Sequence, residues 1–540
     1  MLTRKLFRTA LRYKAQFLSM VLMIAIGTGV FLGFHIEWKS LEQNADAFLR
    51  ETKYADYRLY SESGFTEDDL RSVRGIAGVD AASRFLSIPA AVKGTSSSVA
   101  LQVTEDAAVS SPLVMSGAAY DENGDGIWLS DRFADENGIR LGDTLTLTYL
   151  GLEISGPVVG LIKSGENMIC VADENQLMPD FARFGFAYVS PQKLAGVLGT
   201  IYYPQLHLLS RLEKTVLEDR LRAATGTTLL VTAKEEHIAY AGMQSEAEEG
   251  KTMGAVLPVL FLGIAVLTMV TTMHRIAANE KVQIGTLKAL GFRDRRILLH
   301  YASYGLAIGL AIGLDGSALG VALGCLIASF IIGPSGMMST YLDLPAWKLV
   351  MPGFCIPVVL ASLAFLTLIS YLSVKRMLKG TAADALRPYT PKAVRKSAVE
   401  SLPLWSRLSF GTRWNIRDIL RHKSRSAMTL LGVFGCMLLL VGGLGMRDTM
   451  ERFLSMLDRD ISHYRTKLLL TESAVLPGGA GVLYILITAL AREYELSLAI
   501  GWRTCIVSIA LTLGVSLLVS RMVARKNKKI DMVEALKDAA

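Results

Sequence analysis

Six long apolar runs divide this chain. They are "FLSMVLMIAIGTGVFLGF" (17–34), "MGAVLPVLFLGIAVLTMVTTM" (253–273), about 301–332, about 351–374, "AMTLLGVFGCMLLLVGGLGM" (427–446) and "CIVSIALTLGVSLLVS" (505–520). A helix crossing the hydrocarbon core needs about 20 mostly apolar residues, so each run reads as a span. Between the first two the pattern changes. "SSSVALQVT" (96–104), "DTLTLTYLG" (143–151) and "EISGPVVGLI" (153–162) read as strands set off by Gly, Asp and Asn clusters. "TEDDLRSVRGIAGV" (66–79) reads as a helix capped by Thr66 and ending near Gly75, and "KTVLEDRLRAATG" (214–226) as one closing on Gly226. Helical stalks at about 36–52 and 232–252 would join this segment to the first two spans. The pattern predicts a polytopic α-helical membrane protein with one large extracytoplasmic mixed α/β domain.

Composition agrees: of 540 residues 51% are hydrophobic, mean hydropathy is +0.36 and net charge is +8. The cations cluster beside spans: Arg4, Lys5, Arg8, Arg12 and Lys14 before the first, six between 275 and 296, and many more across 375–425. Across 35–252 acids outnumber bases. The positive-inside rule then puts the N-terminus in the cytosol and 35–252 outside. The positive charge belongs to membrane-flanking loops, so nucleic acid is excluded as a partner. The first run lacks a small-residue cleavage site and continues into a charged helix, which marks an anchor rather than a signal peptide.

The expected organisation is a cytosolic amphipathic segment 1–16, span 1 at 17–34, the α/β domain with its stalks at 35–252, and spans 2–4 over 253–374 with a cytosolic segment 276–298. A basic linker 375–425 and a reduced second half, 426–540, follow. "GTAADALRP" (380–388) recurs as "IDMVEALKD" (530–538), and "LRYKAQFL" (11–18) as "LRHKSRSA" (420–427). These echoes imply two halves of one architecture. Of five cysteines only Cys170 lies in the α/β domain, which must therefore fold without its own disulfide.

No catalytic constellation stands out, and no metal or directly bound cofactor is indicated. "SEAEEGKT" (245–252) nearly matches a phosphate loop, but Ser245 replaces the first glycine and no strand precedes it. "DENGDG" (121–126) resembles the start of a calcium loop, but its twelfth position is Arg132, so an Asp/Asn turn is the better reading. Asp315 interrupts the third run; it is either a functional intramembrane acid or the mark of a break at "GLDGS".

The remaining feature is "NEKVQIGTLKALGFRDRRI" (279–297), a short basic helix former between two spans. Together with "LRSVRGIAGVDAASR" (70–84) and "IWLSDRFADENGIRLGDTLTL" (127–147), it resembles the FtsX-like, or MacB-type, permeases, the membrane subunits of type VII ABC transporters. The resemblance implies that Glu280, Ile284, Gly285, Leu287, Lys288, Leu290, Gly291 and Phe292 form a coupling segment for an ABC ATPase. Leu287 and Leu290 would be its apolar anchors, with the two glycines permitting sharp bends. ATP and magnesium would be held by that separate subunit, so the chain itself is not an enzyme. The same resemblance implies a bacterial cytoplasmic (inner) membrane location, a dimer of permease halves or a second permease, and motion of the outer domain driven by hydrolysis. A lipoprotein, peptide or amphiphile would be moved outside the bilayer. The alternative is a non-transporting regulator of a cell-wall hydrolase or sensor. The second half departs from the family: 447–475 is too short for another outer domain. "VLPGGAGVLYILITALA" (475–491) is borderline for spanning, and the basic tail favours six spans with a cytosolic C-terminus.

Overall fold

The computed structural model describes residues 14–279 apart from 173–175, 177 and 227, then 286, 289–291, 293–377 and scattered positions between 409 and 521. The segment 475–491, most of the fifth run and part of the sixth lie outside the described residues. The chain divides into two compact units. One, Ile24–Val259 with Leu314–Leu363, contains the α/β domain; the other comprises Met1–Met23, Leu260–Gly313 and Ala364–Ala540.

The α/β domain has ten strands in one connected network. In chain order they are β1 (Tyr57–Tyr60), β2 (Val79–Val92), β3 (Ser98–Thr104), β4 (Leu113–Gly117), β5 (Ile127–Ser130), β6 (Thr144–Tyr149), β7 (Leu152–Lys163), β8 (Phe184–Val189), β9 (Gln205–Ser210) and β10 (Leu230–Ala233). The pairings β2–β3, β3–β8, β8–β5, β5–β7, β7–β6 and β6–β2 close a ring of six strands. Alternate residues point into it: Leu86, Ala90 and Val92 from β2, Val99, Leu101 and Val103 from β3, Leu145 and Leu147 from β6, and Ile154 and Val158 from β7 are all buried in one cluster. That period of two is the signature of strands with one face in a core. β2 is long enough to serve twice. Its first half pairs with β9, which continues through β1 to the edge strand β10.

In chain order the first five helices are α1 (Lys14–Glu51), α2 (Glu67–Arg74), α3 (Asp131–Glu136), α4 (Pro191–Leu198) and α5 (Lys214–Thr225), and α2 and α5 cover this antiparallel extension. Leu70 and Val73 of α2 and Leu217 and Leu221 of α5 meet Leu59, Leu206 and Leu208 of the sheet. The caps explain the helix limits. The Thr66 hydroxyl accepts from the Asp69 N–H while the Asp69 carboxylate accepts from the Thr66 N–H, a reciprocal capping pair. Gly226 ends α5 in the left-handed conformation, φ 71°. "DENGDG" is a turn in which the Asp121 carboxylate accepts from the Asn123 N–H at 3.0 Å.

The β6–β7 turn holds one strained residue. Leu150 and Gly151 both have positive φ, 48° and 83°, as a two-residue hairpin of the primed type requires. A leucine is poorly suited to that conformation, and Leu150 is 84% exposed, so packing returns nothing for the strain. Leu150→Asn is expected to stabilise the α/β domain by about 0.5–1 kcal/mol, read as a higher unfolding temperature of the purified chain.

The membrane part is built on α1 (Lys14–Glu51), α6 (Ile238–Asn279), α7 (Asp294–Ile331) and α8 (Cys355–Met377). Among the described residues three helices are long and apolar enough to cross a membrane: Phe17–Glu51, Ile238–Leu267 and Gly309–Ile331; Cys355–Ile369 is a shorter apolar helix. The protein is thus a polytopic α-helical membrane protein with a large mixed α/β domain. The first stalk is the unbroken continuation of α1. The second starts later than the sequence reading placed it, at Ile238. Residues 230–233 pair with β1 instead, because their alternation buries Val231. "SEAEEGKT" lies wholly within α6. α7 runs uninterrupted through "GLDGS", leaving Asp315 exposed on a continuous helix rather than at a break. α1 and α7 meet through glycines. Added Cβ atoms at Gly29 and Gly33 would lie 2.9 Å or less from Leu323 and Ile327 side chains, and those at Gly320 and Gly324 within 2.7 Å of Thr28 and Leu32. Small residues four apart on both helices let the backbones approach this closely, as lipid-embedded pairs require.

Candidate functional site

Of the expected coupling residues, Glu280, Ile284, Gly285, Leu287, Lys288 and Phe292 lie outside the described residues. Leu290 and Gly291 are described. The Leu290 N–H donates to the Thr286 carbonyl at 2.9 Å, so this stretch makes a helical turn. Gly291 then leaves it at φ 84°, the left-handed geometry that stops a helix. Leu290 is 70% exposed. A large apolar side chain is thus presented at the end of a short helical turn.

A second site, which spacing along the chain could not reveal, lies where the two stalk helices enter the α/β domain. Arg58 on β1 is 1% exposed, and its Nε and Nη2 donate to Glu166 Oε2 at 3.1 and 2.7 Å. Ser110 Oγ donates to the other carboxylate oxygen at 2.7 Å and accepts from His207 Nδ1 at 2.7 Å. His207 Nε2 then faces the Gln205 side-chain amide at 3.2 Å, which satisfies the neutral ring when that amide turns its NH2 inward. Tyr54, just beyond α1, pairs its hydroxyl with His237 Nδ1 at 2.7 Å, immediately before α6, and its ring lies 4.5 Å under the Arg58 guanidinium. One network therefore joins the end of α1, the start of α6, β1, β9 and the turn after β7.

Its electrostatics follow from burial. Burial alone would raise the Glu166 carboxyl, but Arg58, then His207 and His237, then the Ser110 hydroxyl hold it down at about 2. Burial pushes the imidazoles of His207 and His237 down to about 3 and about 4. Ser110, His207 and Glu166 include the residue types of a hydrolytic triad, but Ser110 gives its proton to Glu166 rather than to the histidine. Its hydroxyl is buried with a side chain 2% exposed, and neither of the two cavities found at the surface of this domain is lined by it. The arrangement holds structure together; it does not present a nucleophile. The one hint in the sequence is an arginine inside the short aromatic strand "YRLY" (57–60).

A third group lies at the base of the barrel. Lys163, the last residue of β7, donates to Asp131 at 3.0 Å and to Asp343, which comes from the segment between α7 and α8.

Residues 255–382 match the family described as FtsX-like permease C-terminal, a stretch that takes in α6 from residue 255 onward, α7 and α8. No curated protein matches the chain. Among solved structures it is similar to the extracellular domain of the noncanonic ABC-type transporter YknZ from Gram-positive bacteria. That likeness has 15% identity and a TM-score of 0.25, over 33% of this chain and 99% of that one. It is also similar to the periplasmic region of MacB from Actinobacillus actinomycetemcomitans, with 11% identity and a TM-score of 0.24, over 37% of this chain and 95% of that one. The architecture given above rests on the strand pairings themselves.

Proposed function

We propose that this chain is the membrane subunit of an ABC transporter that converts ATP hydrolysis by a separate subunit into movement of its α/β domain outside the cytosol. The observation that carries the reading is continuity. The FtsX-like match over 255–382 includes the coupling segment, and α6 runs without interruption from that segment's border at Asn279 to the root of the α/β domain at Ile238. A push on the cytosolic end of α6 reaches the buried Tyr54–His237–Arg58–Glu166 network without passing through a loop. The sequence that follows α6 carries two leucines, Leu287 and Leu290, among the cations Lys288, Arg293, Arg295 and Arg296, a composition suited to an apolar cleft with a charged rim on the ATPase. ATP and magnesium are held by that subunit. In this reading the chain sits in a bacterial cytoplasmic membrane with its N-terminus inside, and it works as a dimer or beside a second permease. Its cargo is a lipoprotein, peptide or amphiphile handled outside the bilayer.

The test is Leu287→Asp with Leu290→Asp. Forcing carboxylates into an apolar cleft costs several kcal/mol. The double variant is expected to reach the membrane at normal levels but to lose co-purification of the ATPase by a factor of about ten or more. Undiminished recovery of the ATPase would end the coupling assignment.

A further inference from the structure

The segment between α7 and α8 does more than connect two spans. Its Ile332, Met338, Leu342 and Leu344 are buried in a cluster with Leu41 and Phe48 of α1, Met243 of α6, and Met168 and Ile169 of the α/β domain. Further along, the Asn44 side chain bonds both ways with the Lys348 backbone, at 2.8 and 3.1 Å, and the Val350 N–H donates to Ser40 Oγ at 2.8 Å. These contacts tie the segment to α1. Its tie to the α/β domain is different in kind. Asp343 is 2% exposed; its N–H donates to the Met168 carbonyl at 2.8 Å, and its Oδ1 accepts a hydrogen bond from Lys163 Nζ. Its Oδ2 is buried with no donor among the described residues. Lys163 is shared with Asp131, and Arg132 Nε stands off at 4.0 Å while its Nη1 donates to the Ser339 carbonyl.

We propose that Asp343 and Lys163 form a releasable ionic clasp that fastens the α7–α8 segment to the base of the α/β domain and holds the domain in the conformation seen here until it opens. The supply of donors is the reason it is releasable. Two carboxylates compete for one buried ammonium, and one carboxylate oxygen has no donor. Opening gives all these charges back to water and recovers their desolvation cost, whereas an apolar seam would recover nothing. Burial raises the Asp343 carboxyl, with Asp131 adding to the rise and Lys163 and Arg132 opposing it. The groups facing it are Asp131 and Arg132 of α3, Lys163 of β7 and the Cys170 thiol. A carboxyl raised in the docked state holds its proton more tightly there than when undocked. Docking therefore tightens as pH falls through that raised range and loosens above it.

The clasp rests on the proposed function only for the purpose of its release. Its existence is measured in the resting full-length chain, reconstituted in nanodiscs, by backbone hydrogen exchange over 336–346. Lys163→Met strands two acids and is expected to speed exchange there about tenfold or more, with 98–104 and 184–189 unchanged as a check on folding. Asp343→Asn keeps the shape and leaves Lys163 with Asp131. It is expected to retain protection and, once rates are divided by the intrinsic amide rate at each pH, to lose the fall in protection that wild type shows as pH is raised. Lys163→Met combined with Asp343→Leu replaces the ions by an apolar contact and is expected to exchange more slowly than Lys163→Met alone. Exchange over 336–346 that stays within twofold of wild type in Lys163→Met overturns the clasp, as does a double variant no slower than that single one. Neither result touches the ATPase assignment, which stands or falls on co-purification.

Discussion

Replacing Gly324 by alanine should lower the unfolding temperature of the purified chain, while the same exchange at Gly263 should raise it. Alanine is worth about 1 kcal/mol over glycine in a helix interior, and at Gly263 an added methyl meets nothing within 4 Å. At Gly324 it would sit 2.7 Å from the Leu32 Cβ, 3.1 Å from the Gly29 carbonyl oxygen and 3.3 Å from the Gly33 nitrogen. Two of those atoms are backbone of α1, so nothing can swing aside and the helices must part. Overpacking of that sort costs about 1–3 kcal/mol, which outweighs the propensity gain. Gly324→Leu adds three more carbons to the same space and is expected to prevent recovery of folded protein. Thermal unfolding of the two alanine variants in one detergent decides the matter; shifts of the same sign would mean that α1 and α7 do not pack through their glycines.

Arg58→Met should be comparably damaging at the stalk roots. It leaves the Glu166 carboxylate buried without its main partner, and losing one member of a buried pair costs about 3–5 kcal/mol. For a domain of this size that is a fall of about 10 °C. Adding Glu166→Gln removes the stranded charge while still accepting the Ser110 hydroxyl, and should recover at least half of the loss. Acid should imitate the lesion. His207 and His237 resist protonation in the folded state, down to about 3 and about 4, whereas the unfolded chain takes up those protons near 6.5. Their contribution is complete above that value and drains away as pH falls from 6.5 towards 3. Glu166, held at about 2 against an ordinary 4.5, contributes fully above 4.5 and loses its share between 4.5 and 2. Stability should therefore be flat near neutrality with respect to these groups and decline steadily below 6.5. A full chain with equal unfolding temperatures at pH 7 and pH 4.5 would contradict this account.

Local signals in the sequence carried as far as local interactions reach. The limits of α2 and α5 were legible because Thr66, Gly75 and Gly226 act on their own helix ends. β3, β6 and β7 were legible because their Val-, Thr- and Leu-rich runs are set off by Gly, Asp and Asn clusters that turn the chain. Ring closure was not: β2 and β6 meet over only Ala91–Thr148 and Val92–Leu147, and no residue pattern announces which strand edges will find each other. The buried network draws on positions 54, 58, 110, 166, 207 and 237, so its histidines look isolated along the chain and acquire their carboxylate only in space. Asp315 shows the opposite difficulty. A charged residue with flanking glycines reads either as a functional intramembrane acid or as a helix break, and the second is not what forms, since α7 runs straight through it. Of the expected coupling segment, the turn at Gly291 was legible from glycine alone, since few other residues accept a φ of 84°.

α1 extends from Lys14 to Glu51 with no proline and no break. At 1.5 Å per residue it is a rod about 57 Å long, and a tilt of about 10° about its inner end moves the outer end by about 10 Å. α6 is longer by residue count but contains Pro258, which removes one backbone hydrogen bond and gives that rod a place to bend. A stiff lever and a jointed one thus enter the same α/β domain side by side, at Tyr54 and His237, whose side chains are hydrogen-bonded to each other. In the function proposed above, where both are tilted together, the stiff one would set the displacement and the jointed one would absorb the mismatch, so the domain would turn as well as shift.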